Sequence, residues 1–122
     1  MGGWPAHIRC SVNEVGPTAV LLAVGGEVDL ASAPAMRSCV APLLDALPAG
    51  GLLVVDLSEV EFLSAAGLSG LVGLARAGRD RGVAVSLGAV SERAGRILEV
   101  SGARTDIETA AAAVGLPVSS AG

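Results

Sequence analysis

Leu52-Leu53-Val54-Val55-Asp56-Leu57 is an apolar, β-branched run that ends in an acid, and Ser64-Ala65-Ala66-Gly67-Leu68-Ser69-Gly70-Leu71-Val72-Gly73 follows it at helical spacing. The first run has the pattern of a strand buried in a parallel sheet. Ser64 can cap the helix that follows, which extends to about Arg81 and puts Leu68, Leu71, Val72 and Ala75 on one face before Gly82 ends it. A strand that feeds a helix through a short loop, with another strand after it, is a βαβ crossover.

The flanks repeat that unit. Upstream, Ser32 offers an N-cap and Pro34 sits in the first turn of a helix from about Ala33 to Leu47, whose Met36, Cys39, Val40, Leu43 and Leu44 recur at helical spacing. Before it, Ala19 to Val24 is apolar on both faces and stops at Gly25-Gly26, as a core strand would. Ile8, Cys10 and Val12 alternate with Arg9 and Ser11, which predicts a short edge strand ahead of the turn at Gly16-Pro17. Downstream, Val83 to Leu87 reads as a fourth strand, and Ser91 opens a helix with Ile97, Leu98 and Val100 inward and a stop at Ser101-Gly102. Thr105-Asp106-Ile107-Glu108 has capping-box form and starts a last Ala-rich helix to Val114. The order β-β-α-β-α-β-α-α predicts one α/β domain over residues 1–122, a mixed sheet of about four to five strands covered by about four helices. Its core is expected at about residues 8–114, with a disordered tail after Gly115.

Composition narrows the function. A chain of 122 residues is one domain and builds its core without metal or disulfide staples. Trp4 and Phe62 are its only aromatic residues, so base-stacking platforms are excluded. The formal net charge is -4, and the eight basic residues are scattered arginines, which argues against nucleic acid as a direct partner. The longest apolar run, Leu63 to Ala75, is short of the ~20 residues a membrane span needs. With no signal peptide pattern either, the expected location is the cytoplasm. Cys10 and Cys39 are then read as free thiols of the core.

Catalytic chemistry is not supplied. The one histidine, His7, reads as a solvated strand residue, and with Cys10 and Cys39 it cannot complete a four-ligand metal site. The glycines from Gly67 to Gly73 match neither a phosphate loop nor a dinucleotide turn. The acids Glu27 and Asp29, and Asp56, Glu59 and Glu61, read as solvated turn residues. The chain is expected not to be an enzyme and to take no cofactor.

What needs a reason is Gly67, Gly70 and Gly73 inside one helix, each costing about 1 kcal/mol against Ala. Helix geometry puts Ala66, Gly70, Gly73 and Ala77 together on the face opposite the apolar one. Either these glycines admit a neighbouring helix of the same domain, or they form a flat docking face entered at a helix amino terminus flanked by Ser64 and Ser69.

Gly26-Glu27-Val28-Asp29-Leu30, Val54-Val55-Asp56-Leu57-Ser58 and Phe62-Leu63-Ser64-Ala65-Ala66-Gly67-Leu68 together resemble the STAS domain of anti-sigma factor antagonists, over about Ile8 to Val114. The resemblance implies a bacterial cytoplasmic protein that binds an anti-sigma factor, itself a serine kinase, and so regulates transcription by freeing a sigma factor. It raises Glu27 and Asp29 to partner contacts, which with the docking face at the start of the helix gives Glu27, Asp29, Ser64, Ala65, Ala66, Gly67, Ser69, Gly70 and Gly73 as the expected partner-binding residues. In the family the stretch before the glycine is Asp-Ser-Ser, and the kinase phosphorylates the second Ser; here the matching residues are Ser64, Ala65 and Ala66. A methyl group accepts no phosphate, so the usual off-switch is missing unless Ser64 or Ser69 substitutes. A carboxylate placed at Ala66 has no evident cationic neighbour in the sequence. A weak homodimer is a further expectation, and the alternative role is a stand-alone STAS subunit of a membrane lipid-transport ABC complex.

Overall fold

The computed structural model describes residues 8–114, so Trp4, His7 and the tail after Gly115 lie outside it. The described chain runs β1 (Ile8–Gly16), β2 (Ala19–Val28), α1 (Ala33–Ala46), β3 (Leu52–Leu63), α2 (Ala65–Asp80), β4 (Ala84–Val90), α3 (Glu92–Ser101) and α4 (Ala103–Ala112). The strands lie side by side in chain order, with β1 antiparallel to β2 and the β2–β3 and β3–β4 pairs parallel. The expected mixed α/β sheet and its four helices are therefore present.

Residues of one sheet face carry the core. Val20, Leu22, Val24, Leu53, Val55, Leu57 and Val85 are buried against Met36, Val40 and Leu44 of α1, Leu71, Leu74 and Ala75 of α2, Leu98 of α3 and Ile107 of α4. The intervening Leu21, Ala23, Leu52, Val54 and Asp56 stay half-buried. β2 lies between β1 and β3, in the middle of the sheet as expected, but its two faces are unequally buried. Same-handed crossovers between strands that advance in one direction put their helices on one side.

β1 is an edge strand, as expected, and its nine residues run to Gly16 at the expected turn. Later strand ends differ from the sequence reading. β2 does not stop at Gly25-Gly26; it continues to Val28, and β3 continues past Leu57 to Leu63. Register shifts between Ala23 and Gly25 and between Gly26 and Glu27 absorb extra residues of β3, so pairing survives Ser58 and Glu61. The Arg9 guanidinium crosses above Gly25 toward Glu59 at 3.7 Å, in the space a Cβ on Gly25 would share.

Two expectations about the last helices are corrected. Val100 is 85% exposed, because Ala94 and Leu98 set the buried stripe of α3 and Val100 falls off it. α4 begins at Ala103 and not at Thr105, since Gly102 takes a left-handed conformation (φ +79°) that turns the chain in a single residue. Ser101 Oγ accepts the Ala103 N–H at 3.2 Å across that corner.

Cys10 and Cys39 are free and half-buried at the margin of the core. Burial, reinforced by Cys39 beside it, pushes the Cys10 thiol up to about 12. Among the described residues, no helix is long and apolar enough to cross a membrane.

Candidate functional site

The site is built where β2 and β3 end side by side, with Glu27 opposite Phe62 and Val28 opposite Leu63. From Val28 the chain turns into α1 on a reciprocal pair. The Ser32 N–H donates to Asp29 Oδ1 at 2.9 Å, and the Asp29 N–H donates to Ser32 Oγ at 2.9 Å. The buried Ser32 hydroxyl then donates to the Glu27 carbonyl at 2.8 Å. Ser32 therefore makes no side-chain cap bond of the expected kind; the Asp29 carboxylate closes the turn and Ser32 answers it, as in a capping box.

From Leu63 the chain enters α2 directly. The Ser64 N–H donates to the Val28 carbonyl at 3.0 Å, and Ser64 Oγ accepts the Gly67 N–H at 3.2 Å. The Glu27–Asp29 turn and the start of α2 are thus adjacent, as the crossover order predicts. Gly67 makes that adjacency feasible, because a Cβ on it would collide with the Val28 carbonyl oxygen and stand 2.9 Å from Leu63 Cδ1.

The glycines of α2 divide between the two readings. A Cβ on Gly70 would lie 3.2 Å from Met36 Cε and 3.8 Å from Ala33 Cβ, so Gly70 is buried against α1. Its expected outward placement is corrected: α1 covers part of the face assigned to solvent. Gly78, which the sequence reading did not single out, meets the Val83 carbonyl and Val85. Gly73 alone of the four is exposed, with none of the described residues within 4 Å of the position its Cβ would take.

Ser69 and Gly73, one turn apart and both exposed, form the crest of α2 between two grooves. One groove runs between Leu30, Pro34 and Arg37 on the α1 side and Ala66, Ser69 and Gly73 on the α2 side. The other lies between Ala65, Val72 and Arg76 of α2 and Ser101 and Asp106 at the α3–α4 corner. Arg37 thus borders the same groove as Ala66, a cation that the sequence reading did not place there. Leu30, 77% exposed, is an apolar side chain at the groove mouth. Sequence reasoning did not single it out as lining a groove, although an apolar residue just beyond a strand-end turn was a signal. Arg37 and Arg76 carried no local signal, because their placement depends on how α1 and α4 pack on α2.

The other acids lie apart. Asp56 accepts the Ser58 N–H at 2.7 Å; the Ser58 side chain and, second to it, that N–H hold the carboxyl below the usual range, and Glu59 pairs with Arg9. Among the described residues no three or more His, Cys, Asp or Glu side chains cluster so as to hold a metal. Glu27 is exposed beside the start of α2.

Residues 13–109 match the family model described as Mlab, STAS domain. Over 92 residues the chain is 29% identical to the anti-sigma-B factor antagonist of Bacillus subtilis (strain 168), covering 75% of this chain and 82% of that one. Its fold is similar to the crystal structure of an anti-sigma factor antagonist from Mycobacterium paratuberculosis, with a TM-score of 0.66 and 27% identity over 91% of this chain and 97% of the other. It is also similar in fold to the anti-sigma factor antagonist SpoIIAA in its unphosphorylated form, with a TM-score of 0.64 and 16% identity over 80% and 84% of the two chains.

Proposed function

Because the chain belongs to the STAS domain family, we propose that it is an anti-sigma factor antagonist, a binding protein and not an enzyme, which docks an anti-sigma factor of the serine-kinase type on the α2 crest. Gly73 carries the reading. It weakens α2 by about 1 kcal/mol relative to Ala, and no close approach among the described residues requires it, whereas Gly67, Gly70 and Gly78 each have an internal neighbour. A glycine on an exposed crest between two grooves lets a partner's backbone come close. The Bacillus and Mycobacterium relatives support the class of partner.

Ala66 stands at the family's acceptor position, so the docking face lacks the phosphoserine switch. Ser64 already accepts a hydrogen bond from Gly67, which leaves exposed Ser69 the more accessible hydroxyl of the two candidate substitutes. The test uses the serine-kinase anti-sigma factors of the source organism, purified singly. One of them is expected to bind the wild type in calorimetry, and Gly73→Arg to abolish that binding with the thermal midpoint preserved. On incubation with ATP, wild type is expected to keep its mass while Ala66→Ser gains one phosphate. If none of these factors binds, the proposal fails; if wild type is phosphorylated at Ser69 or Ser64, the switch has moved.

The description of the matching model as Mlab favours one second reading, a stand-alone STAS subunit of a membrane lipid-transport ABC complex. The crest would then meet an ATPase, and binding to the transport ATPase in place of an anti-sigma factor would select it.

A further inference from the structure

We infer that the docking partner meets the α2 crest with carboxylates on both flanks, one toward Arg37 and one toward Arg76. This rests on the reading of the crest as the docking face. Five of the eight arginines are matched by an acid of this chain: Arg9 with Glu59, Arg79 with Asp80, Arg81 with Asp45, Arg96 with Glu92 and Arg104 with Glu99. Among the described residues Arg37, Arg76 and Arg93 have no such partner, and the first two border opposite grooves of the same crest.

A shortage of acids does not explain this, since Asp and Glu outnumber Arg twelve to eight. Asp106 lines the second groove with Arg76 and forms no ion pair with it; its carboxylate opposes a partner acid on that flank, which leaves Arg76 as the group that must attract it. A backbone laid over Gly73 has a guanidinium on each side, and a guanidinium takes a carboxylate through two parallel hydrogen bonds. Apolar side chains stand beside them, Leu30, Ala33 and Pro34 in the first groove and Leu68 and Val72 in the second, where Ser101 and Asp106 add polar groups. Glu27 bears on the opposite end of the site, beside the start of α2, and repels an acid placed there. The carboxylates therefore belong along the middle of α2, which fixes the direction in which the partner's charges lie.

Exposed charges at the rim of an interface act mainly on association rate and salt dependence. The experiment measures Kd and its salt dependence for the anti-sigma factor that binds wild type, against Arg37→Glu, Arg76→Glu, Arg93→Glu and Gly73→Arg. Arg93 is the remote control, since its reversal changes the net charge equally from α3. Arg37→Glu and Arg76→Glu are each expected to weaken binding about tenfold and to flatten the salt dependence. Arg93→Glu should do neither, and circular dichroism with thermal melting should show all of these exposed variants folded. Wild-type affinity in the two crest variants, or an equal loss in Arg93→Glu, overturns the inference. Gly73→Arg separates the two levels: if it alone abolishes binding, the docking face stands and only the charge assignment falls. If it binds normally, both fall.

Discussion

Single substitutions in α2 have opposite expected effects according to what each glycine meets. Gly73→Ala fills open space and should raise unfolding stability by about 0.5–1 kcal/mol, the ordinary helix-propensity gain, in urea denaturation. Gly70→Arg, which the sequence alone presents as an outward change, should instead unfold or strongly destabilise the protein, because its side chain would have to pass Met36 and Ala33. At Cys10 the neutral thiol is favoured in the folded chain, so iodoacetamide at pH 8 should alkylate it more slowly than an unperturbed cysteine, read by mass spectrometry. The same shift carries a sign for stability. Its contribution is complete below the ordinary thiol value of 9.0 and is lost as the pH rises toward 12, so alkaline titration should lower the wild-type midpoint more than that of Cys10→Ala. Residue types were legible in the sequence at these positions, but their neighbours were not. Helical spacing groups Ala66, Gly70, Gly73 and Ala77, and only the placement of α1 decides which of them it covers.

The junction of β2, α1 and α2 is where elements depend on one another most closely. Gly67→Ala should cost about 1–3 kcal/mol as overpacking, since the new methyl forces α2 away from the Val28 carbonyl that also receives the Ser64 N–H. Asp29→Ala should cost about 0.5–2 kcal/mol through the lost cap at the entry to α1, measured by denaturant unfolding. Asp29 therefore has a structural role whether or not a partner also touches it. The succession of elements could be read from hydrophobic period and punctuation, and Ser64 and Ser91 cap the helices assigned to them. Boundaries were less legible where tertiary pairing overrides local signals. Gly25-Gly26 looks like a strand end, yet β3 on one side and β1 on the other hold it in the sheet. Thr105 looks like a cap, yet the left-handed Gly102 has already started the helix.

At the scale of the sheet the sequence specified mixed pairing but not sidedness, because the half-buried aliphatic residues of the second face read like core residues. Leu21 and Val54 belong to that face, while their neighbours Leu22 and Val55 are fully buried. Amide hydrogen exchange should reflect this arrangement, with β2 and β3, paired on both edges, exchanging more slowly than the edge strand β1. The placement of strands in chain order also bears on synthesis. Each strand finds its sheet neighbour in the segment made just before it, and the groove of Leu30, Arg37, Ala66 and Gly73 uses nothing beyond the first 73 residues. The second groove needs Ser101 and Asp106. During vectorial emergence from the ribosome, the two flanks of the crest are therefore completed in sequence, and a nascent chain can present one flank before the other exists.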